Sequence, residues 1–343
     1  MTLTLPAPQL PDPATLPSLK WGIVGTGIAR AFVKALAQVT RQKVVAVTAR
    51  DADKTRAFAA ELGIERVHPS VSALIEDPDV EVVYIATPHP LHREQALAAV
   101  AAGKHVLIEK PMAMSAAEAR EITAAGVAAG VLVMEAMWTR YLPQADVIRR
   151  VIADGTIGEV HRVTADFGFV SAYDPSSRMW APELGGGALL DAGIYPISFA
   201  SSILGPPTRI EVAGVSGPGG VDAASDILLV TPTGRALVST SLNTPLPTLA
   251  TVNGTEGMIS IAAPFFGPSA VTVARGTASW DGERAEYRND RLAQSNAGIG
   301  LQATAFASYV ADGLLESPLH PHEEVIDVLN TIDVVRASVR SAH

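Results

Sequence analysis

Cysteine is absent from the 343 residues, which excludes disulfides, thiolate metal sites and a cysteine nucleophile and leaves the redox compartment open. Positive charge is scarce: 26 Lys and Arg stand against 35 Asp and Glu, a formal net charge of -9. A nucleic-acid partner is therefore not expected, because such binding draws its affinity from clustered cations that neutralise phosphates. Uncharged apolar runs of the roughly 18 residues that a membrane span requires are missing too, so no membrane partner is expected. The first nineteen residues carry Pro6, Pro8, Pro11, Pro13 and Pro17 and no cation before Lys20. That pattern lacks the basic start and continuous apolar stretch of a signal peptide and reads as an extended arm, with the cytoplasm as the expected address.

What is present is apolar sequence in quantity: 48% of residues are hydrophobic and 18% charged, enough for a sizeable core. The length exceeds what one core usually supports, so two domains sharing a cleft are expected. From Lys20 to about Val133, short apolar runs alternate with amphipathic stretches. Strands are predicted at 20–24, 44–48, 82–86, 106–108 and 131–134, with helices at 29–39, 53–62, 91–102 and 115–129. Crossover connections of this kind build a parallel sheet covered on both faces. Beyond Glu159, strands at 160–169, 209–215, 225–230 and 236–242 follow turn signals such as Gly217-Pro218-Gly219-Gly220. Helices interrupt them at 187–203, 302–315 and 323–341. The predicted architecture is an α/β Rossmann domain with a parallel sheet, then an α+β C-terminal domain with a large, mainly antiparallel open sheet. The expected boundaries are a proline-rich arm at 1–18, a dinucleotide-binding domain at 19–138 and a substrate and oligomerisation domain at 139–343, whose last helix packs back on one of the domains.

The first strand runs into Gly25-Thr26-Gly27-Ile28-Ala29-Arg30. Gly25 permits a tight turn and Gly27 lets backbone approach a pyrophosphate at a helix N-terminus. Arg30 replaces the third glycine of the dinucleotide fingerprint, so the turn is weak evidence alone. At the end of the second strand, Arg50 can hold the 2'-phosphate of NADP as a bidentate fork, whereas an acidic residue there would accept from the ribose of NAD. NADP is favoured, with Asp51 keeping NAD as the alternative. Two more segments fall where open parallel sheets bind ligands: Thr87-Pro88-His89-Pro90-Leu91-His92 and Glu109-Lys110-Pro111. A lysine beside a bound nicotinamide could hold a substrate hydroxyl or donate a proton. Taken alone, Lys110 is more readily an exposed loop lysine. The two histidines have no carboxylate partner nearby, and metal is not expected.

These segments, together with Asp191-Ala192-Gly193-Ile194-Tyr195, are similar in order and spacing to the Gfo/Idh/MocA oxidoreductase family from about Leu19 onward. Met134 to Pro143 and Gly185 to Asp191 further resemble its branch of dihydrodiol and D-xylose dehydrogenases. The resemblance implies a site between the two domains where Lys110 contacts the reacting oxygen and Tyr195, in place of the histidine of many relatives, serves as acid and base. Asp191 falls one helical turn before Tyr195 and would bind a substrate hydroxyl or orient Lys110. The cofactor would be held by Gly25, Thr26, Gly27, Ile28, Ala29, Arg50, Thr87, Pro88, His89, His92, Glu109, Lys110, Trp138 and Arg140. Arg178 and Trp180 are weaker candidates for substrate contact. The implied reaction moves a hydride between NADP(H) and a sugar or cyclic diol, in a homodimer or homotetramer formed through the second sheet. The competing expectations are a non-catalytic NADP sensor and an enzyme that recycles tightly bound cofactor.

Overall fold

The structure, a computed structural model, describes residues 3–278, 280–293 and 295–341. The first half alternates as expected: β1 (Lys20–Val24), α1 (Ala29–Val39), β2 (Lys43–Thr48), α2 (Ala52–Leu62), β3 (Arg66–Val67), α3 (Val71–Ile75), β4 (Val82–Ile85), α4 (His92–Ala101), β5 (His105–Glu109), α5 (Ala116–Ala129) and β6 (Val133–Ala136). All six strands pair in parallel in the order β3-β2-β1-β4-β5-β6. Central strands of such a sheet are covered on both faces, and β4 accordingly has every residue buried. The helices start and stop on local chemistry. Asp51 caps α2 by accepting from Lys54 N, Ser115 caps α5 through Glu118 N, and Gly63 and Gly130 end these helices in the left-handed region.

The chain forms two compact units, one comprising 10–141 with 295–326 and the other 3–9, 142–293 and 327–341. In the first, Trp21, Phe32, Tyr84 and Phe306 lie in one core cluster. Phe306 belongs to α9 (Leu301–Ala311), so a segment from late in the chain completes the core of the parallel-sheet unit.

In the other unit the order is α6 (Pro143–Ala153), β7 (Val160–Gly168), α7 (Ile194–Leu204), β8 (Arg209–Ser216), β9 (Asp222–Val230), β10 (Arg235–Ser241), β11 (Ala250–Gly254), β12 (Gly257–Ile261), β13 (Val271–Arg275), β14 (Glu283–Tyr287) and α8 (Asp290–Ala293). The final helix, α10 (His322–Ser341), contributes its first turn to the parallel-sheet unit and residues 327–341 to this one. Eight strands pair in the order β14-β13-β12-β11-β7-β10-β9-β8. All these pairings are antiparallel except β7 with β10, so the open, mainly antiparallel sheet is present with one parallel ladder inside it.

Several boundaries move for identifiable reasons. The helix expected at 187–203 begins two residues later, because Gly187 has φ +124° and cannot be helical. It opens as a π-helical turn over Leu189–Gly193 before α7 proper. The strand expected at 131–134 lies at 133–136, with Leu132 N bonded to the His105 ring ahead of it. The stretch Pro182–Leu204 is long and apolar enough to cross a membrane, yet 67% of its apolar window is buried inside the protein, as in the core helix of a soluble chain.

The proline-rich arm lies on the protein. Gln9 N donates to Asp146 of α6 and Arg150 of the same helix donates to Ala7 O, while Arg41 and Gln42 donate to Ala14 O and Pro17 O farther along the arm.

Candidate active site

In the parallel-sheet unit, β1 leads outward through β2 to β3, whereas β4 to β6 lie on its other side. Open sheets bind ligands at this reversal, beyond the carboxyl ends of the strands. Gly25 follows β1, Thr87 follows β4 and Lys110 follows β5, so three of the predicted segments meet at the reversal.

Gly25 has φ +100°, and a Cβ there would lie 2.4 Å from Ala86 O. Only glycine fits that turn. A Cβ on Gly27 would meet nothing within 4 Å, and no side chain caps α1. The space beside Gly27 and the uncapped start of the helix form a cradle suited to a pyrophosphate. Ala29 is buried and packs α1 on the sheet, whereas Arg30 is exposed, paired with Glu61 and stacked 5.2 Å from the Phe58 ring centroid. The missing third glycine therefore costs the turn nothing. Thr26 is half-buried and Ile28 exposed.

Beyond β2, Arg50 is exposed. Asp51 is committed to its own helix: Oδ1 accepts from Lys54 N at 3.0 Å, and Lys54 Nζ lies 3.4 Å from Oδ2. The amide of Lys54 holds its carboxyl below the usual range. The carboxylate that kept NAD in play is thus occupied as a helix cap.

Four residues predicted to touch ligand are buried and engaged with neighbouring groups of the protein. His92 is fully buried, with Nδ1 2.9 Å from Pro111 O and Nε2 2.8 Å from Thr87 O, so one imidazole lies between the segments after β4 and β5, its neutral form donating to one of the two carbonyls. Burial depresses its pKa despite those two carbonyls. Glu109 is buried, accepting from the Tyr84 hydroxyl and, at 3.2 Å, from Lys110 N. Burial raises its pKa against the lowering effect of Tyr84. Arg140 is buried and paired with Glu324. Trp180, 3% exposed, packs with Ala188, Val221, Ala223 and Leu242 in a core cluster, its indole donating to Ser171. Spacing could not reveal this, because a buried support and an exposed contact have the same place in a motif. Lys110, Thr87, His89 and Trp138 are half-buried, and Pro88 is exposed; Thr87 Oγ1 donates to Gln95 at 2.7 Å.

In the other unit, the π-helical turn and the start of α7 bury Ala192, Gly193 and Ile194 while leaving Asp191 and Tyr195 only half-buried. Both side chains thus share the open side of this segment. Asp191 accepts from Arg178 at 2.9 Å. Tyr195 stacks on Phe266 with ring centroids 4.8 Å apart and lies 6.0 Å from Phe167. The turn is anchored by Asp222, which the sequence did not flag: its Oδ2 accepts from Leu189 N at 2.6 Å, and a Cβ on Gly187 would strike its Oδ1 at 2.3 Å. The glycine run at 185–187 was the available signal, since it leaves room for a partner. Burial pushes Asp222 up to about 6, against the Leu189 amide and Arg336.

Residues 19–137 match the profile of the GFO/IDH/MocA oxidoreductase family with NAD-binding Rossmann fold, and 145–260 match its C-terminal domain. The chain belongs to the Gfo/Idh/MocA family of oxidoreductases. Among family relatives, trans-1,2-dihydrobenzene-1,2-diol dehydrogenase from Mus musculus is 37% identical over 318 residues, covering 90% of this chain and 92% of its own. The protein of the same name from Homo sapiens is 34% identical, with 94% and 97% covered. A 3-ketoreductase from Actinomadura kijaniata, solved with NADP and TDP-benzene, superposes with a TM-score of 0.79 at 27% identity, covering 94% of this chain and 98% of its own. The aldose-aldose oxidoreductase of Caulobacter crescentus shares the fold with a TM-score of 0.83 at 24% identity, over 95% and 99% of the two chains.

Proposed function

We propose that this chain is an NADP(H)-dependent dehydrogenase acting on a CH–OH group of a sugar or cyclic diol, with Lys110 and Tyr195 as its acid/base pair and Asp191 as a substrate ligand. The observation that carries the cofactor choice is the division of labour after β2: Asp51 caps α2 while Arg50 stands exposed beside it. A guanidinium there suits a 2'-phosphate, and a carboxylate already used as a helix cap has less acceptor capacity to offer ribose hydroxyls. The identity to dihydrodiol dehydrogenases over nine-tenths of the chain supports the substrate class.

Gly25, Thr26, Gly27, Ile28 and Ala29 would hold the pyrophosphate, with Arg50 at the adenosine phosphate and Thr87, Pro88, His89 and Trp138 toward the nicotinamide. The bound nicotinamide supplies the hydride chemistry. Tyr195 moves the proton at the substrate oxygen. A free phenol, with a pKa of about 10, is a poor base at neutral pH, and the proposed role of Lys110 is to lower that value with its charge while donating a hydrogen bond to the same oxygen. Asp191, which accepts from Arg178, is the acceptor proposed for a second substrate hydroxyl.

The outward row of the eight-stranded sheet includes Leu228, Leu237, Thr164 and Thr251 among Arg162, Glu211 and Arg235, all exposed or half-buried. This mixed face supports pairing of copies into a homodimer or homotetramer, and the proposed address is the cytoplasm.

The test is absorbance at the reduced-nicotinamide band with NADP or NAD and a panel of aldoses and cyclic diols, run beside Lys110→Ala and Tyr195→Phe. The expected result is turnover with NADP that falls by at least about 10²-fold in both variants, the range for losing a positioned acid or base. Turnover surviving in both removes the pair. Cofactor binding without turnover of any substrate moves the sensor and recycled-cofactor readings ahead.

A further inference from the structure

The segment that carries Lys110 is gripped at three successive residues by buried side chains. Glu109 accepts from Lys110 N, His92 lies on Pro111 O, and Glu135 Oε1 accepts from Met112 N at 2.6 Å. The third grip differs from the others because it is built from distant parts of the sequence. Glu135 is the penultimate residue of β6 and is 1% exposed. Its other oxygen lies 2.8 Å from Nε2 of His320, itself fully buried, and Nδ1 of His320 lies 3.5 Å from Glu324, which pairs with Arg140. Two carboxylates, an imidazole and a guanidinium thus alternate in a line that starts at Met112 N.

A buried carboxylate is retained only when hydrogen bonds and opposite charge replace its lost water. Here both oxygens are used, one on His320 and one on a backbone amide two residues after Lys110. We propose that Glu135, held in place by His320, is a positioning residue for Lys110. It fixes the segment after β5 through Met112 N–H, so that the late segment 317–324 sets the placement of the lysine. This rests on the catalytic reading of Lys110 given above. The physical reason for the effect is the steepness of rate with geometry: a displacement of about 1 Å at a reacting group can cost about 10²-fold. The cofactor cradle at Gly25 and Gly27 and the Arg50 fork follow other strands, so cofactor affinity is not expected to change with it.

The experiment compares Glu135→Leu, Glu135→Gln and Lys110→Ala by steady-state kinetics, with hydrogen exchange at the Met112 amide as a second readout. Glu135→Leu is expected to lower kcat by about 30-fold or more with KM for NADP within about threefold. Glu135→Gln retains an oxygen for Met112 N–H and is expected to recover most of that loss, with the Met112 amide again protected. If Glu135→Leu does not fold, Glu135→Asp keeps the charge opposite His320 but withdraws the acceptor by one methylene, and a tenfold loss of kcat at unchanged KM is expected. Wild-type kcat in Glu135→Leu or, failing that, in Glu135→Asp, beside an inactive Lys110→Ala, overturns the proposal. So does equal loss in the Leu and Gln variants, which would mean that the charge and not the Met112 contact matters. Should Lys110→Ala itself keep turning over, the catalytic reading fails, and exchange at Met112 still decides whether Glu135 holds the segment.

Discussion

Asp222 gives the sharpest quantitative expectation. It is 5% exposed, anchors the π-helical turn through Leu189 N, and has its carboxyl pushed from 3.8 to about 6 by burial. A shift of about two units corresponds to about 3 kcal/mol between the protonation states. Because the folded-state value is raised, the folded protein binds the proton more tightly than the unfolded chain. The associated stability is fully present below pH 3.8 and is lost as pH rises through about 6. Between pH 4.5 and 7.5, a range gentle enough for the remaining carboxylates, the loss amounts to about 2 kcal/mol. Asp222→Asn keeps an oxygen for Leu189 N–H and removes the titration. The gap between the urea-unfolding stabilities of wild type and Asp222→Asn should therefore change by about 2 kcal/mol from about pH 4.5 to 7.5, the variant becoming relatively more stable as pH rises. Asp226→Asn, on the exposed side of the same strand, controls for loss of one charge. Parallel pH profiles for wild type and Asp222→Asn would refute the reasoning, since they would mean that Asp222 ionises as easily in the folded protein as in the unfolded chain.

Further expectations separate binding from folding. Gly27→Ala adds a methyl into open space, so its thermal midpoint should match wild type while cofactor affinity, measured by calorimetry, falls about tenfold as the backbone approach is blocked. Gly25→Ala forces a Cβ to 2.4 Å from Ala86 O, and its midpoint should drop along with binding, a strain of about 1–3 kcal/mol. Arg50→Ala should raise KM for NADP by about 10- to 100-fold, the worth of one charge-assisted pair, with KM for NAD unchanged. Asp51→Ala should instead cost about 1 kcal/mol of stability with no change in cofactor preference. Trp180→Ala should destabilise by about 3–5 kcal/mol in urea unfolding, as removal of a buried indole does; a fully stable variant with altered substrate range would return Trp180 to the substrate side.

The parallel-sheet half was legible because its signals are local. Strands buried on both faces are plain apolar runs, and Ser115 with Glu118, or Asp51 with Gly63, mark helix ends by backbone chemistry that a few residues settle. Strands β11 to β14 were not predicted, because over five residues each they alternate or mix polar with apolar side chains, unlike the plain apolar runs of the parallel sheet. Alternation over so short a run is hard to distinguish from a loop until the cross-strand partner is known. The parallel pairing of β7 with β10 was equally hidden, being a relation between segments some seventy residues apart in number.

The site divides along the same line. Residues whose role depends on local backbone, such as Gly25 with its positive φ, could be named from sequence. Those whose role depends on a distant partner could not: Asp222 is recognisable only once Leu189 N lies against it, and Glu135 only once His320, 185 residues away, closes on its second oxygen. Burial adds a role that spacing does not show. His92, Glu109, Arg140 and Trp180 have the residue types and motif positions of ligand contacts, yet each is buried, and all but Trp180 meet their polar needs inside the parallel-sheet unit. A polar residue deep in a motif can serve a ligand directly or serve the backbone that presents a neighbour to it. Within this unit, the three grips on residues 110 to 112 make the second role the commoner one, so the motif around Lys110 encodes a mounting for a single lysine as much as a row of contacts.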